Sequence, residues 1–232
     1  MGSTSKRGHF TPELFAFLRG LERNNHRVWF ERNRERYLEH VRDPMLRFIA
    51  DFEPYLQAVS PHFVADPSPQ GGSMFRIYRD VRFSKDKRPY KTAATAQFRH
   101  ERGKDVHAPG FYVHLEPGQV FAASGIWHPD RPALARIRLA IVGRPDEWRR
   151  IRSSRPFRTA FEFEGDSLKR PPRGFDPEHP LMEDIRRTDY VVTQSWNQRL
   201  ACAPDFIVRL ARFCRDTGPL MGFLTRALDL DW

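Results

Sequence analysis

The chain is nearly without cysteine, with only Cys202 and Cys214 in 232 residues. Their separation fits neither a zinc ligand set nor a Cys-x-x-Cys redox pair, and two thiols make no disulfide framework. A reducing cytoplasm is therefore the expected compartment. No apolar run approaches the roughly 18–20 residues that a membrane-spanning helix needs. The first ten residues lack the apolar segment of a secretory signal, so no membrane partner is expected. Three phosphate, dinucleotide and hydrolase signatures are also missing: Gly-x-x-x-x-Gly-Lys-Ser/Thr, Gly-x-Gly-x-x-Gly and Gly-x-Ser-x-Gly. The nine histidines never fall in His-x-His or His-Glu-x-x-His spacing. No metal site is expected on that ground, and only a spatial convergence of His107, His114 and His128 would reopen the question. The sequence names no cofactor and no oligomeric state.

What the chain has is aromatic bulk and positive charge. Nineteen Phe and five Trp, within 40% hydrophobic residues, suffice for a sizeable core. Residues 1–9 read as a frayed tail and 10–232 as one domain, since no linker long enough to divide the chain occurs. The formal charge is +10, a balance that favours anionic partners. Half of it lies between Arg76 and Lys91, where seven cations face Asp80 and Asp86.

Periodicity predicts helices first, then strands, then a mixed last third. Thr11-Pro12-Glu13 opens a helix with Leu14, Phe15, Phe17, Leu18 and Leu21 at helical spacing. Asn24-Asn25 ends it and caps a second, expected to run to Val41, and Asp43-Pro44 restarts the pattern through Leu56. In the middle, Met74–Arg79 alternates, with Phe75 and Ile77 on one side and Arg76 and Tyr78 on the other. Thr92–Phe98 is its expected partner. Phe111–Leu115 alternates likewise, and Glu116-Pro117-Gly118-Gln119 has Pro and Gly where a type II turn wants them, returning Val120–Ile126 as a hairpin. Later come helices from Pro132 and Pro145, with Asp130 as the cap of the first. A Pro-rich loop from Lys169 to Pro180 and a strand at Tyr190–Trp196 follow. A helix begins beyond Ala203-Pro204-Asp205 and is stopped by Gly218-Pro219, and a final one ends near Leu228. The pattern predicts an α+β fold, an antiparallel sheet with helices mainly on one face and helical segments at both termini.

Candidate functional residues cluster in the basic stretch. Arginine forks suit phosphate or carboxylate, and lysines add point charges. Arg76, Arg79, Arg82, Lys85, Lys87 and Lys91 are therefore candidate anion ligands, with Tyr78, Tyr90, Tyr112 and Trp127 packing on the same ligand. If Phe75, Ile77, Phe111, Val113 and Leu115 face the helices, Arg76, Tyr78, Tyr112 and His114 form a polar, aromatic floor on the other sheet face. His114 and His128 are the candidates for proton transfer, with Trp127 and His128 expected to reach that same cavity. The competing reading of each feature is ordinary: a solvated loop tip, and cross-strand pairs on an outer face. A small phosphorylated or carboxylated ligand is the leading expectation. Nucleic acid held by the Arg82–Lys91 loop and exposed tyrosines is the alternative.

Several strings together resemble a known family almost end to end. They include Asn24-Asn25-His-Arg-Val-Trp29-Phe30, the whole run Arg76–Thr92, Pro109–Gly118, Gly125-Ile-Trp-His-Pro129, Leu168–Phe175 and Pro219-Leu-Met. The chain resembles the bacterial and fungal proteins grouped as domain of unknown function 2461. The resemblance implies a free-standing, single-domain protein and carries no catalytic assignment.

Overall fold

The computed structural model describes residues 8–103 and 108–232. Residues 1–7 of the tail and His107 lie outside the described residues. His9 is placed, with its ring 2.9 Å from Asp51 Oδ2.

The chain opens with α1 (Pro12–Arg23), which buries Leu14, Phe15, Phe17, Leu18 and Leu21. The Asn24–Asn25 corner departs from the sequence expectation. Asn24 turns back to donate to Gly20 O at 3.0 Å, and the cap of α2 (Arg27–Arg32) is His26, which accepts from Trp29 N. Asn25 is used elsewhere, as described below. The predicted continuous second helix is also interrupted. Asn33 donates to Trp29 O and separates α2 from α3 (Arg34–Tyr37). A π-helical turn, Leu38–Arg42, then leads into α4 (Asp43–Gln57), which buries Met45, Phe48, Ile49, Phe52 and Leu56. Pro44 fits the first turn of α4, where its missing N–H has no helical partner to lose.

The sheet has six strands: β1 (Phe63–Val64), β2 (Ala94–His100), β3 (Gly110–Glu116), β4 (Gln119–Ile126), β5 (Glu162–Glu164) and β6 (Tyr190–Trp196). Their order is β1-β2-β3-β4-β6-β5 and every neighbouring pair is antiparallel. Gly118 sits at φ 84° in the β3–β4 turn, the left-handed conformation that a type II turn requires of its third residue.

The remaining helices are α5 (Arg131–Gly143), α6 (Pro145–Ser153), α7 (Arg155–Thr159), α8 (Met182–Ile185), α9 (Gln198–Ala201), α10 (Phe206–Asp216) and α11 (Gly218–Ala227). Asp130 caps α5 as expected, accepting from Ala133 N at 2.8 Å. α10 ends at Asp216, just before Gly218-Pro219 as expected, and Pro219 lies in the first turn of α11, the position proline tolerates best. Among the described residues no helix is long and apolar enough to cross a membrane.

Strand alternation divides the sheet into an apolar and a polar face. Phe98, Phe111, Val113, Leu115, Val120 and Ala122 join α1, α4 and α10 in one buried cluster. Further along the same face, Ile126, Tyr190 and Val192 join Ile137, Trp148, Leu220 and Phe223 in a second. Phe161 packs against both clusters. The helices thus occupy one face, which makes the fold α+β as the pattern predicts. The other face carries Thr95, Gln97, Tyr112, His114, Glu116 and Phe121. A polar face turned away from these two helical clusters is what makes room for a site.

Candidate functional site

The basic stretch lies against the polar face, but not as the ladder strand that alternation predicts. Between Ser73 and Arg79 only two isolated bridges form, Met74 to Ala96 and Tyr78 to Tyr90. Ser73 and Phe75 hydrogen-bond the edge of β2 through Gln97 N and Thr95 O, and the chain then leaves the sheet. This reverses one assignment. Met74 pairs with Ala96 and takes the core side, so Phe75 falls on the polar face, edge-on to Tyr112 with ring centroids 6.2 Å apart. Arg76 and Tyr78 consequently do not join Tyr112 and His114 on a common floor. Arg76 is exposed, while Tyr78, half exposed, leans on Tyr90 and Phe30 behind the loop. Ile77 is buried in the helical cluster.

Asn25, which sequence reading took for a cap, locks this segment to the helices. Its Nδ2 donates to Tyr90 O and its Oδ1 accepts from Tyr90 N, both at 3.0 Å. The Tyr90 ring stacks on Phe30 at 4.2 Å. Lys91 follows directly, its N–H donating to Ile77 O at 2.7 Å. Replacing Asn25 with alanine leaves a buried N–H and C=O unpaired. At about 1–3 kcal/mol each, this is expected to destabilise the protein by about 2–6 kcal/mol. The check is urea unfolding, which should show a lower midpoint with an unchanged m-value.

The result is a cleft of about 370 Å³ between the basic segment and the polar face. Of the sequence candidates, Arg79, Tyr90, Lys91, Tyr112 and His114 line it, joined by Phe75, Asp86, Arg88, Thr92, Thr95 and Glu116. Phe75, Thr92, Thr95 and Glu116 have no part in the site read from the sequence. Asp86 accepts from Arg79 Nη1 at 2.5 Å and from Arg88 Nη2 at 2.8 Å. The Arg88 hydrogen bonds, with a smaller share from Arg79, hold its carboxyl far below the ordinary range. Glu116 and Thr92 belong to a second network.

That network runs along β3 through residues two apart, which alternation places on one face. Tyr112 OH lies 2.9 Å from His114 Nδ1, and His114 Nε2 lies 3.1 Å from Glu116 Oε2. Thr92 Oγ1 donates to the other oxygen, Glu116 Oε1. A carboxylate only accepts, so His114 Nε2 is the donor to Glu116, and an imidazole in its neutral form then accepts the Tyr112 proton at Nδ1. The imidazole stacks on Phe121 from β4, at 4.7 Å and 16°. Burial pushes the Tyr112 phenol up to about 12, the nearby Thr95 hydroxyl opposing that shift, so the phenol stays protonated through the neutral range.

Lys91 is the remaining cation of the cleft. Its ammonium lies 4.9 Å from the Phe75 ring centroid, and among the described residues no carboxylate lies within ion-pair distance. Burial, then the nearby Arg76 charge, lowers its pKa. Counting Arg79, Arg88 and Lys91 against Asp86 and Glu116, the cleft keeps one net positive charge with His114 neutral.

The other candidates lie elsewhere. Arg82, Lys85 and Lys87 are exposed on the loop beyond the cleft; Arg82 is tied to Asp80 at 2.6 Å, and Lys87 donates to Val81 O. Trp127 and His128 do not reach the cleft. His114 pairs with Phe121, and His128 lies seven residues further on, about 20 Å away at the rise of an extended strand. There the His128 N–H donates to the buried Asp189 carboxylate at 2.7 Å, with its own backbone at φ 47°. No residue of the Pro-rich loop 169–180 lines the cleft. Among the described residues no group of His, Cys, Asp and Glu is placed to hold a metal ion.

A helix-backed antiparallel sheet with a charged cleft on its bare face is the class of protein these observations define. The profile of a family described as conserved hypothetical protein (DUF2461) matches residues 13–223, and the chain belongs to that family. Comparison with curated proteins and with solved structures found no match.

Proposed function

We propose that the protein binds a small anion, phosphorylated or carboxylated, in the cleft between the basic segment and β2–β3. The observation that carries this reading is Lys91, a half-buried cation with no carboxylate within ion-pair distance among the described residues, lining one cleft with a neutral phenol and an oriented imidazole. Arg79 and Arg88 share Asp86 and supply further donors at the rim. An anion entering here meets a charge already stripped of much of its water, so little reorganisation opposes the contact. The Tyr112–His114–Glu116 chain equips the same cleft to move a proton. His114 is the acid–base group, Glu116 fixes its tautomer, and the Tyr112 oxygen faces the ligand. His128 has no part in this reading. A cytoplasmic setting suits the two unpaired thiols.

Calorimetric titration with inorganic phosphate, phosphoserine and a dicarboxylate tests the reading. Binding of at least one, at one site per chain, is expected; no heat from any of them sinks it. The pH dependence has a definite sign. Protonated Lys91 is the binding form, and its pKa is lowered in the fold. Affinity should therefore decline as pH rises through that lowered value, before an ordinary lysine would discharge. An affinity that holds flat into the range of exposed lysines would exclude Lys91 as the anchor. Nucleic acid is the competing ligand. Of the basic segment's tyrosines only Tyr78 is exposed, and Asp80 and Asp86 neutralise neighbouring arginines, so oligonucleotide affinity is expected to be weak and steeply salt-dependent.

A further inference from the structure

Phe83 is 96% exposed, the most exposed large apolar side chain among the described residues. The loop that presents it is braced. Arg82 bonds Asp80 through Nε and Nη2, and Lys87 Nζ reaches across to Val81 O at 3.0 Å. Arg79 and Arg88 both grip Asp86, and the Tyr78–Tyr90 bridge closes the stem. These ties hold the ring out in water, flanked by exposed Lys85 and Lys87. An aromatic plug ringed by cations fits an apolar depression ringed by carboxylates.

One depression among the described residues has this character. A hollow of about 740 Å³ around the π-helical turn has buried Pro44 and half-buried Leu38 beneath Glu35 and Glu39, with His40, Arg47, Asp51 (paired with His9) and Asp43 (paired with Arg42) around them. The cleft described above and a crevice beside Arg150, Arg215 and Arg226 instead set three cations against fewer carboxylates. Plug and hollow also share a side of the molecule. Tyr78, at the loop stem, lies 6.1 Å from Phe30; Phe30 lies 5.3 Å from Tyr37, the residue before Leu38. When both halves of a contact lie on one side, a two-fold axis can satisfy both at once and close the assembly at two. We infer that the chain forms a reciprocal dimer, with Phe83 of each copy seated in the acidic hollow of the other. The loop's own Asp80 and Asp86, which would repel a polyanion, favour a protein partner over nucleic acid or an anionic membrane.

Sedimentation velocity across a dilution series in low salt tests this. The expected result is a species of twice the 27.3 kDa chain mass that dissociates as salt is raised. F83S should weaken association about tenfold or more, as loss of a central aromatic anchor does. K85E/K87E should weaken it too, and adding E35K/E39K to that chain should restore it. Circular dichroism confirms that each variant is folded. A monomer at every concentration overturns the proposal, as does a dimer that F83S leaves unchanged or a weakened one that the charge swap fails to rescue. Loss of oligonucleotide or anionic-vesicle binding in F83S, by a protein that is monomeric throughout, overturns it in favour of those partners.

Discussion

Replacing Gly125 with alanine is expected to destabilise the protein by about 2–6 kcal/mol, combining overpacking of about 1–3 with backbone strain of about 1–3. Gly125 sits in β4 at φ 132°, a conformation that side-chain-bearing residues rarely adopt. It pairs with Val191 of β6, and a methyl group there would overlap the Tyr190 carbonyl and crowd Val191 Cα. Both obstacles are backbone, so neither can swing aside as a side-chain tip could. The neighbouring Tyr190 and Ile126 belong to the second buried cluster, and displacing β6 would open it. A domain stability is typically about 5–15 kcal/mol, so this single methyl could remove most of it. Thermal unfolding of the variant checks the expectation; a midpoint equal to that of the parent would show that the strand register described here is wrong.

Replacing Lys91 with methionine should weaken anion binding about 10- to 100-fold while leaving the fold intact. The estimate is the loss of one charge-assisted contact of about 1.5–3 kcal/mol. Methionine retains the apolar stem that packs toward Phe75. The fold should even gain slightly, because a lysine whose pKa is lowered binds its proton less well when folded than when unfolded. Titration calorimetry with phosphate on both proteins reads the first effect, and a melting curve reads the second. Unchanged affinity would move the anion site away from the cleft. Lys85→Met serves as the control: Lys85 is exposed and does not line the cleft, so phosphate affinity should be unaffected.

Much of the scaffold can be read from the sequence because its signals are local. The β3–β4 hairpin follows from alternation in Phe111–Leu115 and from Pro117-Gly118, and β6 spans the predicted Tyr190–Trp196. The same alternation puts Tyr112 and His114 on one face, and extending it by one more step reaches Glu116, which was assigned only to the turn. Antiparallel pairing also carries its own warning about Trp127 and His128. A hairpin turning at Pro117-Gly118 takes residue 128 toward the opposite end of the sheet from residue 114.

Other parts of the site depend on long-range contacts that leave no local trace. Phe75 faces the polar side because the chain pairs with β2 for a few residues and then departs, which periodicity within residues 74–79 cannot reveal. Asn25 anchors Tyr90 across 65 positions, although its residue type reads equally well as a cap. The cationic loop looks like a uniform patch of charge in the sequence. Folding divides it into arginines neutralised by Asp80 and Asp86, an exposed tip, and Lys91 left to face the cleft.

Selenate soaked into crystals of the protein, located by its anomalous signal, tests the anion site most directly. The expected position is inside the cleft, within hydrogen-bonding distance of Lys91 Nζ and beside Tyr112 and Arg79. Selenate held only at the Arg82–Lys87 tip or in the Arg150–Arg215 crevice, with the cleft empty, would contradict the account.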